Sequence, residues 1–325
     1  MVAKAYNRIS HYLHNTPLLY SETLNRMVGS QIYFKMDATQ KTGSFKIRGV
    51  LNHLLALKES NKIPDKIVAY STGNHALAMA YTAKLFGIHA RVYLPQNVSP
   101  IKKRIAKYYG AEVMEVKTRS EAEDFSKKDG ENGFYYLHPS DDDQTIAGAG
   151  TMCYEALIEM KKRNIKIPDA IFASCGGGGL LAGTYLAKNL LSPSSKLIGA
   201  EPENANDAYK SLQSGEIKRF EDSPKTIADG LRALSICQRT FDYLKKLDGF
   251  YTCSEESIYY WTAWLMQTTK VTCEPSAAIS MAAAYNWLKE NSDQKTILIL
   301  VSGGNIDPSL YHDLWKQDHL AKLPE

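Results

Sequence analysis

The chain has 325 residues, 44% hydrophobic and 23% charged, with a formal net charge of +4 spread along its length, which predicts a soluble globular protein built as one interrupted domain or as two domains around a cleft. Nucleic acid is excluded as a partner: the closest basic cluster, Lys102, Lys103, Arg104 and Lys107, falls at helical spacing with no ladder of aromatic residues beside it, and reads as a solvated helix face. Five cysteines (Cys153, Cys175, Cys237, Cys253 and Cys273) show neither C-x-x-C nor Cys/His metal spacing, which excludes a zinc site and a disulfide framework.

The N-terminus, MVAKAYNRISHYLHNTPLLY, carries no apolar run of signal-peptide length, and the most apolar stretches are strand-sized, so a cytoplasmic protein without membrane association is expected. KTGSFKIRGV, residues 41–50, holds three basic residues in ten, and only Lys46 follows a Ser-Phe pair where a helix could begin. From residue 66 short β-rich runs alternate with helical patterns, the signature of parallel βαβ units and an α/β fold. KIVAY (66–70) is a strand, ALAMAYTAKLFG (76–87) a helix closed by Gly87, and ARVYLP (90–95) a strand. AEVMEV (111–116) follows as a strand, then a helix over 120–128 opened by a capping box of Ser120 and Glu123, then a strand GFYYLH (133–138). A second set runs through a helix at 146–163, DAIFAS (169–174), a helix at 180–191, KLIGAE (196–201) and KTILILV (295–301). The predicted organisation is a large domain of residues 1–66 and 142–325, interrupted by a smaller mobile domain of residues 67–141. Ligands of such sheets sit beyond the carboxyl ends of the strands, which directs attention to the loops after residues 70, 174 and 301.

Each of those loops supports a bland reading and a chemical one. CGGGGLLAG places Gly176, Gly177, Gly178 and Gly179 before a helix, where bare backbone N–H groups and the helix dipole suit a phosphate; a tight turn is the alternative. It is neither a Walker loop nor a G-x-G-x-x-G fingerprint. STGNHA, Ser71 to Ala76, offers hydroxyls and an amide for a carboxylate or a ring oxygen, or simple N-capping. His75 alone reads as a packed histidine. SGGN, Ser302 to Asn305, offers a hydroxyl to a flat ring, or another turn. A nucleophilic lysine needs a lowered pKa and a rigid perch, which Phe45 and a helix start could give Lys46; a surface lysine is the ordinary case. Pyridoxal phosphate needs all of these features together.

KTGSFKIRG, STGNHA, GGGGLLAG, AEPENANDA, TIADG, EPSAA and VSGGN, in this order across residues 41–305, resemble the fold-type II pyridoxal-phosphate enzymes, in the serine/threonine dehydratase and serine racemase branch. The resemblance implies a tryptophan-synthase-β-like fold, a doubly wound parallel sheet in the large domain with a smaller inserted α/β domain, and a homodimer. It implies that Lys46 is the Schiff-base lysine and base, that Phe45 packs on the ring and Asn74 bonds the ring oxygen, that Gly176–Gly179 cup the phosphate, and that Ser302 meets the pyridine nitrogen. Ser71, Thr72, Asn74 and His75 would take the substrate carboxylate. AEPENANDA would supply Glu201, the Ala205 carbonyl and Asp207 to a divalent cation, with magnesium, calcium or manganese fitting oxygen ligands. The implied reaction is dehydration and deamination of a β-hydroxy-α-amino acid, such as L-threonine or L-serine, to a 2-oxo acid and ammonia.

The chain also departs from the racemase pattern. Thr72 stands where serine racemases have the serine acting on the second face of the substrate, and its β-branched side chain is stiffer. STGNH also resembles hydroxyectoine-utilisation dehydratases. Ala233 and Ala122 stand where racemases have a serine and an arginine, and Ser140 where relatives have asparagine or phenylalanine. Dehydratase therefore ranks above serine racemase, with 3-hydroxyaspartate, phenylserine or a hydroxyectoine-derived amino acid open as substrates. Asp141, Asp142 and Asp143 read as a solvated hinge or a selector of cationic substrates. A β-replacement synthase and a degenerate cofactor or amino-acid sensor are the remaining alternatives.

Overall fold

The computed structural model describes residues 1–71, 73–291 and 293–324. Its strands form two sheets. The larger uses β1 (Leu18–Tyr20), β2 (Gln31–Met36), β7 (Ala170–Ser174), β8 (Lys196–Pro202), β9 (Gly249–Cys253) and β10 (Thr296–Val301) in the order β1-β2-β10-β7-β8-β9. The smaller uses β3 (Lys66–Tyr70), β4 (His89–Pro95), β5 (Glu112–Val116) and β6 (Tyr135–Tyr136) in the order β5-β4-β3-β6. All pairings are parallel except β1 with β2. Helices cover both faces of the large sheet, which is why TILILV is buried at every position instead of alternating.

The topology carries the functional consequence. β10, last in sequence, inserts between β2 and β7, so Ser302 emerges at the centre of the sheet beside the glycine run that follows β7. Phe45 N–H donates to the Ser302 carbonyl at 2.9 Å, and Ser44 bridges Gly303, which ties the start of the Lys46–Glu59 helix to the same strand end. That helix lies against the helix Asp143–Lys162 so closely that a Cβ on Gly148 would sit 2.4 Å from the Arg48 carbonyl oxygen.

Several expectations shift in detail. The capping box belongs to Thr118 and Glu121, whose amide and carboxylate exchange hydrogen bonds with the threonine, and the helix runs Arg119–Glu131. Of GFYYLH only Tyr135–Tyr136 pairs as a strand. The basic helix Pro100–Tyr108 is not a uniformly solvated face: the Lys102 side chain is only 2% exposed and reaches Asp229 at 2.6 Å. No helix among the described residues is long and apolar enough to cross a membrane.

Candidate active site

Where the carboxyl ends of the two sheets face one another they enclose a cavity of about 390 Å³, lined among others by Lys46, Ser71, Asn74, Gly176–Gly179 and Ser302. Residues separated by more than 250 positions thus share one site.

Lys46 is the first residue of its helix. Its Nζ lies 3.4 Å from the Pro139 carbonyl oxygen and 5.0 Å from the centre of the Phe45 ring, so no carboxylate neutralises it directly. Burial, reinforced by the Arg119 charge and opposed by Glu274, brings its pKa down to about 8. Arg48, two residues on, has a different task. Fully buried, it meets Asp37 at 2.6 Å and Glu155 at 3.2 Å, and Lys35 also contacts Glu155. Two cations face two carboxylates behind the site and hold the helix that carries Lys46.

In the loop after β3, Ser71 Oγ accepts hydrogen bonds from the N–H groups of Gly73 and Ala76, and Ser71 lines the cavity. Asn74 begins the next helix; its Nδ2 donates to Glu274 Oε1 at 2.8 Å and its Oδ1 accepts from Asn305 at 3.0 Å. His75 Nε2 lies 3.0 Å from the Leu137 carbonyl oxygen, which assigns the proton to that nitrogen, and burial lowers its pKa to about 3. It is a neutral, packed ring. Thr72 lies outside the described residues.

The glycine run is closed in from several sides. A Cβ on Gly177 would stand 2.6 Å from Ser140 Oγ, and one on Gly176 3.1 Å from the Gly230 carbonyl oxygen. The helix Gly179–Leu191 starts there, and its first N–H groups have no partner within the helix. A cradle that a single methyl group would fill, at a helix N-terminus, fits a phosphate. Ser302, 4% exposed, lines the same cavity, so a flat ring between it and Lys46 suits pyridoxal phosphate. Cys175, before the run, is fully buried as expected of a packing residue, and burial pushes its thiol pKa up.

The cavity also contains groups that no motif announced. Arg119 lines it with Nη1 buried and without a hydrogen-bond partner, and stands over the Tyr70 ring at 5.4 Å. Burial lowers its pKa, opposed by Tyr70 and Glu123. Arg219 joins from the large-sheet side, 3.0 Å from Glu123. Ala122, expected to stand in for an arginine, is fully buried in the packing of its helix; one turn earlier Arg119 brings that cation into the cavity. The helical period of three to four residues could have pointed to it. Asp141 and Asp143 pair with Arg239, and Asp142 caps the following helix, accepting from the Thr145 N–H. Ala233 lines the cavity, adding no hydroxyl.

Beyond the site, Glu201 and Asp207 are buried together. The Glu201 oxygens accept from the N–H groups of Ala208 and Tyr209, whereas both Asp207 oxygens are buried without partners. Burial and the Asp207 charge raise Glu201 well above the carboxylate range, and burial raises Asp207 to about 7. Two buried carboxylates, those of Asp207 with no hydrogen-bond partner, fit a hard cation, with Ala205, also buried, available through its carbonyl. No set of three His, Cys, Asp or Glu side chains gathers for a metal among the described residues.

Serine racemase of Dictyostelium discoideum is 36% identical over 313 residues, covering 95% of this chain and 94% of the racemase. L-threo-3-hydroxyaspartate ammonia-lyase of Saccharomyces cerevisiae is 36% identical over 316 residues, covering 96% and 94%. The crystal structure of the T.th. threonine deaminase superposes with a TM-score of 0.87 at 39% identity, covering 94% of this chain and 97% of that one. The family model described as pyridoxal-phosphate dependent enzyme matches residues 9–303. Because that match runs through Lys46 and the glycine cradle and ends just past Ser302, the chain belongs to the pyridoxal-phosphate-dependent enzymes and shares the fold of threonine deaminases and serine racemases.

Proposed function

We propose that the protein is a lyase that dehydrates and deaminates a β-hydroxy-α-amino acid carrying a second carboxylate on its side chain, 3-hydroxyaspartate being the simplest, to a 2-oxo acid and ammonia. The observation that carries this substrate is Arg119, a cavity-lining cation whose buried Nη1 has no partner. A substrate carboxylate would supply the missing charge-assisted hydrogen bond at Nη1, whereas serine or threonine would leave that nitrogen without a partner. Arg219 adds a second cation to the same cavity. The likeness to the yeast ammonia-lyase supports the same reading.

Bound pyridoxal phosphate supplies the electron sink that acidifies the substrate Cα–H. The chain's residues do the rest. Gly176–Gly179 would hold the phosphate, Phe45 would pack on the ring, Asn74 would serve the ring oxygen, and Ser302 would offer the ring nitrogen a neutral hydroxyl, which favours elimination over transamination. The Ser71–His75 segment takes the α-carboxylate. Lys46, its pKa brought down to about 8, takes the Cα proton at Nζ, and the β-hydroxyl takes up a proton from solvent and leaves as water. The released enamine hydrolyses to the 2-oxo acid and ammonia. A homodimer, a cytoplasmic location, mobility of residues 67–141 and a divalent cation at Glu201, Ala205 and Asp207 belong to the same proposal.

The test is a panel of serine, threonine and the 3-hydroxyaspartate isomers, with 2-oxo acid release and enantiomer exchange read together for the parent and for Arg119→Met. The expected result is preference for a 3-hydroxyaspartate isomer, lost by about 30- to 1000-fold in the variant, with serine turnover changed far less. Preference for serine or threonine that survives R119M removes the dicarboxylate reading; exchange outpacing oxo acid release removes the lyase reading.

A further inference from the structure

Lys102 and Glu274 are buried, face each other across the cleft, and have no part in the chemistry above. Glu274 caps the helix Pro275–Lys289 and is 2% exposed. Its own N–H donates to the Gly303 carbonyl, one residue past Ser302. Of its carboxyl oxygens, Oε1 accepts from Asn74 Nδ2 at 2.8 Å, and Oε2 is buried with no hydrogen-bond partner. Lys102 comes from the small-sheet side. Its Nζ lies 2.6 Å from Asp229 Oδ2 and 4.0 Å from Glu274 Oε2. Its aliphatic stem lies under the substrate loop: a Cβ on Gly73, a residue with φ of +132°, would stand 2.3 Å from Lys102 Cδ. One side chain therefore supports the Ser71–His75 loop and reaches two acids on the opposite sheet unit.

Asn74 sits at the other end of this chain of contacts. Asn305 Nδ2 donates to its Oδ1, which fixes the orientation of the amide, and Glu274 takes one of the two Nδ2 hydrogens. The other hydrogen remains for the cavity. Glu274 thus decides whether Asn74 offers a fixed donor or a loose one.

The geometry points to Lys102 and Glu274 as a cross-cleft pair of positioning residues: Lys102 clamps the substrate loop onto Asp229 and Glu274, and Glu274 holds the Asn74 amide so that its remaining N–H serves the cofactor's ring oxygen. This rests on the reading of Asn74 given above. Electrostatics agree with the geometry. Burial, with the Asp229 charge added and Lys102 opposing, raises Glu274 to about 7, so near neutrality Glu274 exchanges its proton beside the Lys102–Asp229 pair. Burial opposes the charge of Lys102, but Asp229 and Glu274 outweigh it and hold the ammonium above its ordinary pKa. Lys46 and Asp307 also act electrostatically on this cluster.

The test uses the cofactor-loaded protein and the variants E274A, E274Q, N74A, E274A/N74A and K102M, with folding checked by circular dichroism. Three quantities are read: the position of the cofactor absorption band from pH 6 to 9, the dissociation constant of pyridoxal phosphate by fluorescence quenching, and KM against kcat. E274A and N74A are each expected to shift the band and weaken cofactor binding at least fivefold, and the double variant to match the stronger single one. E274Q, which keeps an acceptor for Asn74, is expected to keep the band and the affinity within twofold while removing the drift of the band near pH 7. K102M is expected to raise KM at least fivefold with the band unmoved. Additive effects of E274A and N74A, or an E274A protein with the parent's band and affinity, overturn the inference while leaving the Asn74 reading intact. An N74A protein with unchanged band and affinity removes the Asn74 reading, and the inference with it.

Discussion

The environment of Lys46 makes a quantitative prediction about how the cofactor-free protein captures pyridoxal phosphate. Only the neutral amine attacks the aldehyde. With its pKa at about 8 instead of 10.5, about 9% of Lys46 is neutral at pH 7, against about 0.03% for an ordinary lysine, an advantage of about 300-fold. Below the depressed pKa, capture should accelerate roughly tenfold per pH unit, and it should level off once the amine is mostly neutral. The assay mixes apoprotein with cofactor in a stopped-flow instrument between pH 5.5 and 10. Each rate is divided by that of a simple alkylamine under the same conditions, which cancels the cofactor's own titrations. A normalised advantage that is flat below pH 8 and collapses by pH 10.5 is expected; no advantage at pH 7 refutes the burial argument. The same shift has a stability sign. Between pH 8 and 10.5 the unfolded chain holds a proton that the folded chain has released, so this group alone makes apoprotein stability rise with pH across that window.

Three further outcomes follow from the same geometry. Gly177→Ala places a methyl group 2.6 Å from Ser140 Oγ, and should weaken cofactor binding at least tenfold; recovery in the double variant with Ser140→Gly would show that the clash with Ser140, and not the phosphate cradle, is responsible. Because burial raises Asp207 to about 7 and lifts Glu201 well above the carboxylate range, the cation-free fold binds protons that the unfolded chain has lost above about pH 4, so these groups make stability fall as pH rises through this range. Magnesium or calcium should therefore raise the melting temperature more at pH 8 than at pH 6, and Asp207→Asn should abolish the gain; an equal shift in the variant argues against this site. Arg48→Met leaves Asp37 and Glu155 facing Lys35 alone and should cost about 3–5 kcal/mol in chemical denaturation, a loss below about 1 kcal/mol being inconsistent with a buried ionic cluster.

Much of this protein was legible from local pattern. The strands KIVAY and TILILV declare themselves because a parallel strand buried on both faces needs an unbroken apolar run, and Gly87 marks its helix end because it adopts the left-handed conformation there. The glycine run, the Ser-Phe-Lys perch and the Ser-Gly-Gly-Asn loop were also visible, since each meets a requirement set by its own backbone. The capping box was displaced by two residues because Thr118 and Ser120 have equal claims as a cap, and only the path of the chain chooses between them.

The residues that tertiary structure alone assigned are charged ones. Arg48 and Lys46 sit two positions apart in one motif, yet one faces a buried pair of acids and the other an open cavity. Lys102 reads as part of a solvated basic face, yet it spans the cleft to acids more than 120 positions away. Arg119 and Glu274 gain their significance from what surrounds them. Backbone conformation and apolar burial are dictated mainly by near neighbours in sequence and by periodicity, so the chain order carries them. The state of a charge depends on solvent exclusion and on which opposite charges lie within a few ångströms, and the crossing of β10 between β2 and β7 brings those groups together from distant parts of the chain.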